Sequence, residues 1–136
     1  MRLAADANVL LSAVIGGRAK LILEHPKVEE VLTTEPTLAE VEEYALVLAK
    51  KKHLPVDTLI LAVASLPVTI VERSQYLKRL PRALRLIRHR DPDDSELLAL
   101  ALQFRIPVWS NDRDFEDVEV EVFTTEHLLR ELGLIQ

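Results

Sequence analysis

Short apolar runs, each too brief for a helix, alternate along this chain with longer stretches of helical periodicity. That alternation restricts the possible folds more than any other feature of the sequence. Strands that recur with helices between them are joined by crossovers, which gives a parallel sheet in an α/β domain. Strands are expected at residues 3–5, 28–33, 68–71, 107–110 and 118–123. Helices are expected at 9–15, closed by Gly16-Gly17, and at 19–24, 36–52, 93–104 and 126–132. Residues 76–90 read as a basic helical stretch that Pro81 interrupts, and 56–66 are apolar on every side, which suits an interior or a subunit contact. The expectation is a single α/β domain over residues 1–136, with a central, mostly parallel sheet of four to five strands flanked by helices.

Composition removes several classes of function. The chain is 49% hydrophobic, enough to form a core without covalent staples, and it has no cysteine, which excludes both disulfides and thiolate metal sites. His25, His53, His89 and His127 are too scattered for a zinc site. No apolar run reaches the roughly 18–20 residues of a membrane span. The opening Met1-Arg2-Leu3-Ala4-Ala5-Asp6 turns acidic too soon for a signal peptide, so a cytoplasmic protein with no membrane partner is expected. A net charge of −5 argues against a non-specific nucleic-acid binder with a broad basic surface. That objection weakens if several acids sit together and hold divalent cations, because the ions cancel the local charge.

The acids fall in informative places. Asp6 follows the first expected strand and Asp112 the fourth, and in open parallel sheets ligands bind beyond the carboxyl ends of the strands. Each acid alone is equally well explained as a turn or cap residue. In Arg90-Asp91-Pro92-Asp93-Asp94-Ser95-Glu96, Asp91-Pro92 suits a helix start, and acids in a first turn complement the helix dipole. Asp94 is different, because its i+3, i+4 and i+7 neighbours are Leu97, Leu98 and Ala101. A carboxylate on the apolar face is costly unless it is paired or binds metal. On the long central helix, Leu38, Val41, Ala45 and Leu48 mark the buried side, with Glu43 pointing away. Glu40 and Glu42 lie on opposite rims, and the helical wheel does not choose between them. Glu40 could instead complete a capping box in Thr37-Leu38-Ala39-Glu40, unless the helix starts earlier, at Thr34 or Glu35.

Taken together, these residues resemble the PIN-domain family, close to its toxin–antitoxin toxin branch, the VapC-like ribonucleases. The resemblance rests on four motifs in order: Asp6-Ala7-Asn8 after the first strand, Leu38-Ala39-Glu40-Val41 early in a mid-chain helix, Asp91-Pro92-Asp93-Asp94 before a Leu/Ala-rich helix, and Ser110-Asn111-Asp112-Arg113-Asp114-Phe115 after a strand. It runs from Leu3 to about Phe123. Ser110 stands where the family usually has Thr, which keeps the hydroxyl.

The resemblance implies a PIN-like fold and a metal-dependent endoribonuclease that hydrolyses RNA phosphodiester bonds with Mg²⁺ or Mn²⁺. Under it, Asp6, Glu40, Asp94 and Asp112 form the catalytic set, in which Glu40 either ligates a second ion or orients the attacking water. Asp6, Asp94 and Asp112 hold metal with Asp114 as a weaker further member, and Asn8 and Ser110 brace the site. It further implies a homodimer and an antitoxin protein as partner. The RNA would be held by cations: Lys78, Arg82, Arg85 and His89 recur on one helical face, with Lys50-Lys51-Lys52 as a weaker candidate. A solvated charged face explains that stripe equally well. The alternative function is a catalytically silent PIN-like module that binds RNA or protein, against which the intact acids argue. A phosphatase or phosphoacceptor domain would need a second Asp or a Thr soon after Asp6 and a Lys on a later strand, and neither is present. A flap-type DNA nuclease would need added arch and clamp elements for which the chain is too short. No Ser-His-Asp arrangement, P-loop or dinucleotide fingerprint competes.

Overall fold

The computed structural model describes residues 1–87, 92–112, 115 and 118–136, with the backbone alone at 92 and 93. Its strands are β1 (Arg2–Ala5), β2 (Glu30–Thr34), β3 (Thr69–Val71), β4 (Val108–Trp109) and β5 (Val122–Phe123). They form one sheet in the order β3-β2-β1-β4-β5, and every pairing is parallel. Leu3 lies opposite Val31, Ala5 opposite Trp109, Thr33 opposite Ile70 and Val108 opposite Val122. The chain steps outward from β1 to β2 to β3, then crosses back to set β4 on the free side of β1. The winding therefore reverses between β1 and β4, and a crevice opens beyond the carboxyl ends of those two strands.

Helices cover both faces, as a parallel sheet requires. They are α1 (Ala7–Val14), α2 (Ala19–Leu23), α3 (Glu35–Lys51), α4 (Val56–Ala64), α5 (Leu80–Leu86), α6 (Pro92–Phe104) and α7 (Thr125–Glu131). The two-residue period of a strand divides its side chains between two cores. Leu3, Ala5, Val31 and Trp109 pack with Val9 and Leu10 of α1, Val41 and Ala45 of α3, Leu59 and Val63 of α4, and Leu128 and Leu129 of α7. Ala4, Leu32 and Val108 point the other way, onto Ala83 of α5 and Leu97, Leu98 and Leu100 of α6. Among the described residues no helix is long and apolar enough to cross a membrane.

Three segments depart from the expectation. Residues 76–90 were expected to be one helix with a break; instead two 3-10 turns (Arg73–Gln75 and Leu77–Arg79) lead into the short α5. Pro81 sits in the first turn of α5, where its missing N–H costs nothing; deeper in a helix its ring would clash with the preceding turn. The alternating run 118–123 yields only two strand residues, because Glu119 adopts a left-handed φ of 66° that extended pairing cannot accommodate. Segment 56–66 does not take the interior position that was one of its two expectations: Leu59 and Val63 face the core, whereas Val56, Ile60 and Leu61 are exposed.

Candidate active site

The crevice at the switch point is an acidic cleft of about 220 Å³, lined by Asp6, Ala7, Asn8, Glu40, Tyr44, Asp94 and Asp112. Two larger hollows, about 440 and 460 Å³, open at the opposite edge. Arg105, Pro107 and Glu121 line one of them, and Arg2, Glu30 and Thr69 the other, so both lie by the amino ends of the strands. Ligands of such sheets sit at the carboxyl edge, which favours the smaller cleft.

Asp6 is the first residue past β1 and the N-cap of α1. It is buried, and each of its carboxylate oxygens accepts a hydrogen bond: Oδ1 from the Ala7 N–H at 2.7 Å and Oδ2 from the Ser110 hydroxyl at 2.7 Å. Its capping role is real, but a carboxylate accepts more bonds than a cap requires. The backbone beneath is fixed as well. Asp6 N–H donates to the Trp109 carbonyl at 3.0 Å, and the buried Thr33 hydroxyl donates to the Ala5 carbonyl at 3.0 Å.

Ser110 continues β4 by donating its N–H to the Phe123 carbonyl at 3.0 Å. Its Oγ also accepts from the Asp112 N–H at 3.0 Å, so one buried hydroxyl positions both acids. The rest of that loop is tied to α7. Trp109 Nε1 donates to Thr125 Oγ1 at 3.0 Å, and the Thr125 N–H donates to Asn111 Oδ1 at 2.8 Å.

Glu40 comes from α3, whose start bears on its capping reading and whose packing separates the two rims of the helical wheel. Thr34 is the N-cap, accepting from the Thr37 N–H at 3.1 Å, so Thr37 lies inside the first turn and the capping box is not formed. With Val41 and Ala45 in the core, Glu40 faces the cleft and Glu42 borders a separate apolar hollow beside Leu46 and Ile60. Tyr44, one turn on, donates its hydroxyl to Glu40 Oε1 at 3.1 Å. Asp94 arrives from α6 on the opposite face of the sheet, part-buried. Asp114, and with it Asp91, lies outside the described residues.

The basic residues are placed elsewhere. Lys78 belongs to a 3-10 turn and Arg85 to α5, both exposed. Arg82 is committed to a two-pronged ion pair with Glu119, Nε to Oε2 at 2.9 Å and Nη2 to Oε1. His89 lies outside the described residues, and Lys50, Lys51 and Lys52 are exposed at the far end of α3. Sequence reasoning missed Tyr44, Thr33 and the Trp109–Thr125 tie. A Tyr four residues after Glu40 was the available signal for the first of these.

A second polar group lies on the other side of α6. Glu96 Oε1 accepts from the Tyr76 hydroxyl at 3.1 Å and from Arg73 Nε at 3.1 Å, while its buried Oε2 has no partner among the described residues. Burial pushes the Tyr76 hydroxyl well above its usual pKa of 10.0, and the charge and hydrogen bond of Glu96 add to the effect.

Residues 5–133 match the PIN domain family, and the chain belongs to it. PIN domains are generally nucleases and generally need divalent metal ions. No curated protein matches the chain. Among solved structures it is similar to "Toxin-antitoxin complex from Klebsiella pneumoniae", with 23% identity, a TM-score of 0.65 and coverage of 90% of this chain and 97% of that one. It is also similar to FitAcB from Neisseria gonorrhoeae, with 21% identity, a TM-score of 0.66 and coverage of 93% and 99%. A third likeness is to FitAB bound to an IR36 DNA fragment, with 22% identity, a TM-score of 0.60 and coverage of 93% and 96%. At these identities the likeness speaks for the fold.

The side chains suit such an ion in kind. All four acids of the cleft offer hard oxygen donors, and Mg²⁺ takes only one or two carboxylates while keeping several waters. Among the described residues no three acidic or imidazole side chains are grouped closely enough to hold a cation by themselves.

Proposed function

We propose that this PIN-domain protein is a Mg²⁺- or Mn²⁺-dependent endoribonuclease of the VapC-like kind and the toxin of a type II toxin–antitoxin pair. The observation that carries the proposal is the convergence of Asp6, Glu40, Asp94 and Asp112, drawn from four elements, on one cleft at the switch point of the sheet. In this reading Asp6, Asp94 and Asp112 hold the ion directly or through its waters, with Asp114 as a weaker further member, and Asn8 and Ser110 brace the site. A bound divalent cation supplies an activated water and offsets negative charge at the phosphodiester. Glu40 accepts a hydrogen bond from the attacking water and aims it at phosphorus. Ser110 holds the Asp6 and Asp112 segments in register, so that the acids need not reorganise when substrate arrives.

RNA as substrate rests on the resemblance of the motifs to the VapC-like branch, and Lys78, Arg82, Arg85 and His89 are proposed to contact its phosphates. An antitoxin partner is supported by the toxin–antitoxin complex among the similar structures. Pairing with a second copy is supported by the exposed apolar side chains Leu46 and Val47 of α3 and Ile60 and Leu61 of α4. A cytoplasmic location goes with this function. The test is cleavage of single-stranded RNA in Mn²⁺ by two neighbouring variants, with single-stranded DNA run in parallel. Glu40→Gln should lower kcat by roughly a hundredfold or more, the range of a lost general base, and Glu42→Gln should leave it unchanged. The reverse order would remove Glu40 from the site, and preferential cutting of DNA would overturn the assignment of substrate.

A further inference from the structure

We infer that Tyr44 is a substrate-positioning residue: its ring is a stacking platform for an unpaired base beside the scissile phosphate, and its hydroxyl fixes Glu40. This rests on the nuclease reading and names the form of nucleic acid that the cleft accepts, a single strand with a base free to leave its stack.

Three observations lead to it. First, Tyr44 lines the acidic cleft and donates to Glu40 Oε1 at 3.1 Å. Buried Val41 and Ala45 hold α3 to the core and so set which way this face points. Second, Tyr44 is 39% exposed, and none of the other five aromatic residues lines the cleft. Tyr76, Trp109 and Phe115 are buried, Phe123 stacks on His127 at 4.9 Å, and Phe104 lies beneath Arg2 at 5.7 Å. In a chain with so few aromatics, the exposed one stands at the mouth of the cleft. Third, the cleft itself is anionic and repels a polyanion until a cation is bound. A Lys or Arg at this position would be drawn into ion pairs with the acids and would compete with the metal. An aromatic ring holds nucleic acid through the π-face of a base and leaves the carboxylates free. Bases paired in a duplex do not present that face, so the contact selects unpaired nucleotides.

A helix-surface pair at i, i+4 would by itself stabilise the chain only slightly. If that were the whole role of Tyr44, no kinetic constant would depend on it. The experiment compares wild type, Tyr44→Phe, Tyr44→Trp and Tyr44→Leu on a single-stranded RNA oligonucleotide in Mn²⁺, intact and with an abasic residue at each position flanking the cut. Tyr44→Leu should raise KM roughly tenfold, the scale of one lost base–aromatic stack, and Tyr44→Trp should keep the wild-type KM. Tyr44→Phe should keep KM and lower kcat several-fold, since it keeps the ring and loses the grip on Glu40. One abasic position should raise the wild-type KM as much as Tyr44→Leu does and have no further effect in that variant, because both remove the same contact. Unchanged KM in Tyr44→Leu, or effects that simply multiply, would overturn the inference.

A second readout separates its failure from that of the nuclease reading. Fluorescence anisotropy with the same oligonucleotides in Mn²⁺, with Glu40→Gln in every protein to suppress cleavage, should show the same tenfold loss in Tyr44→Leu. Equal affinities would overturn the platform whatever the cleavage result.

Discussion

The Ser110 hydroxyl donates to Asp6 Oδ2 at 2.7 Å, joining side chains 104 positions apart in the chain. The same oxygen accepts the Asp112 N–H. Ser110→Ala removes both bonds inside a buried site and should cost about 1–3 kcal/mol, the usual penalty for stranding buried polar groups. Ser110→Thr keeps the hydroxyl and should recover most of that stability, together with cleavage. Urea denaturation of the three proteins reads the difference, and an alanine variant as stable as wild type would show that the bond does not hold the site together.

Tyr76 supplies a pH dependence unrelated to the cleft. Its pKa in the folded chain lies well above the 10.0 of the unfolded chain, through burial first and Glu96 second. Below pH 10 the residue is neutral in both states and its contribution is intact. As pH rises past 10 the unfolded chain ionises while the folded chain resists, so stability should fall by about 1.4 kcal/mol per pH unit from this group. Tyr76→Phe should be less stable at neutral pH, because Glu96 loses a donor, and should show a shallower alkaline decline. Parallel alkaline slopes for the two proteins would contradict the shift.

Much of the candidate cleft was open to reading from the residues. Asp6 and Asp112 stand at the carboxyl ends of two apolar runs, and the topology of a parallel sheet brings such ends together. Asp94 was marked out by the Leu and Ala around it on the helical wheel. The choice between Glu40 and Glu42 was not available from the wheel, because the two lie on opposite rims of α3 and only the packing of the helix shows which rim borders the acidic cleft. The run Val118-Glu119-Val120-Glu121-Val122 alternates like a strand, yet β4 offers only two residues to pair with, and Glu119 turns away to meet Arg82. That ion pair spans 37 positions and leaves no local trace, so the basic stripe looked more available to a ligand than it is.

The Arg82–Glu119 pair therefore makes the proposed RNA-binding face testable from both sides. Arg85→Ala should weaken RNA binding and flatten its log–log salt dependence by a slope of roughly 0.7, the value for one phosphate contact on a single strand. Glu119→Gln releases Arg82 and should strengthen binding and steepen that dependence. If neither change alters affinity across several salt concentrations, the face is only solvated, and the RNA path is to be sought near Lys50, Lys51 and Lys52.

The proposed chemistry is cleavage of RNA at the carboxylate cleft with the help of a divalent ion. It is tested most directly by incubating a mixed RNA pool with wild type and with Asp112→Asn, each in Mn²⁺ and in EDTA, and sequencing the new ends. Ends recurring at discrete positions are expected for wild type in Mn²⁺, and none in EDTA or with Asp112→Asn. Cleavage that persists in EDTA or in Asp112→Asn, or an intact pool after wild type in Mn²⁺, would contradict it.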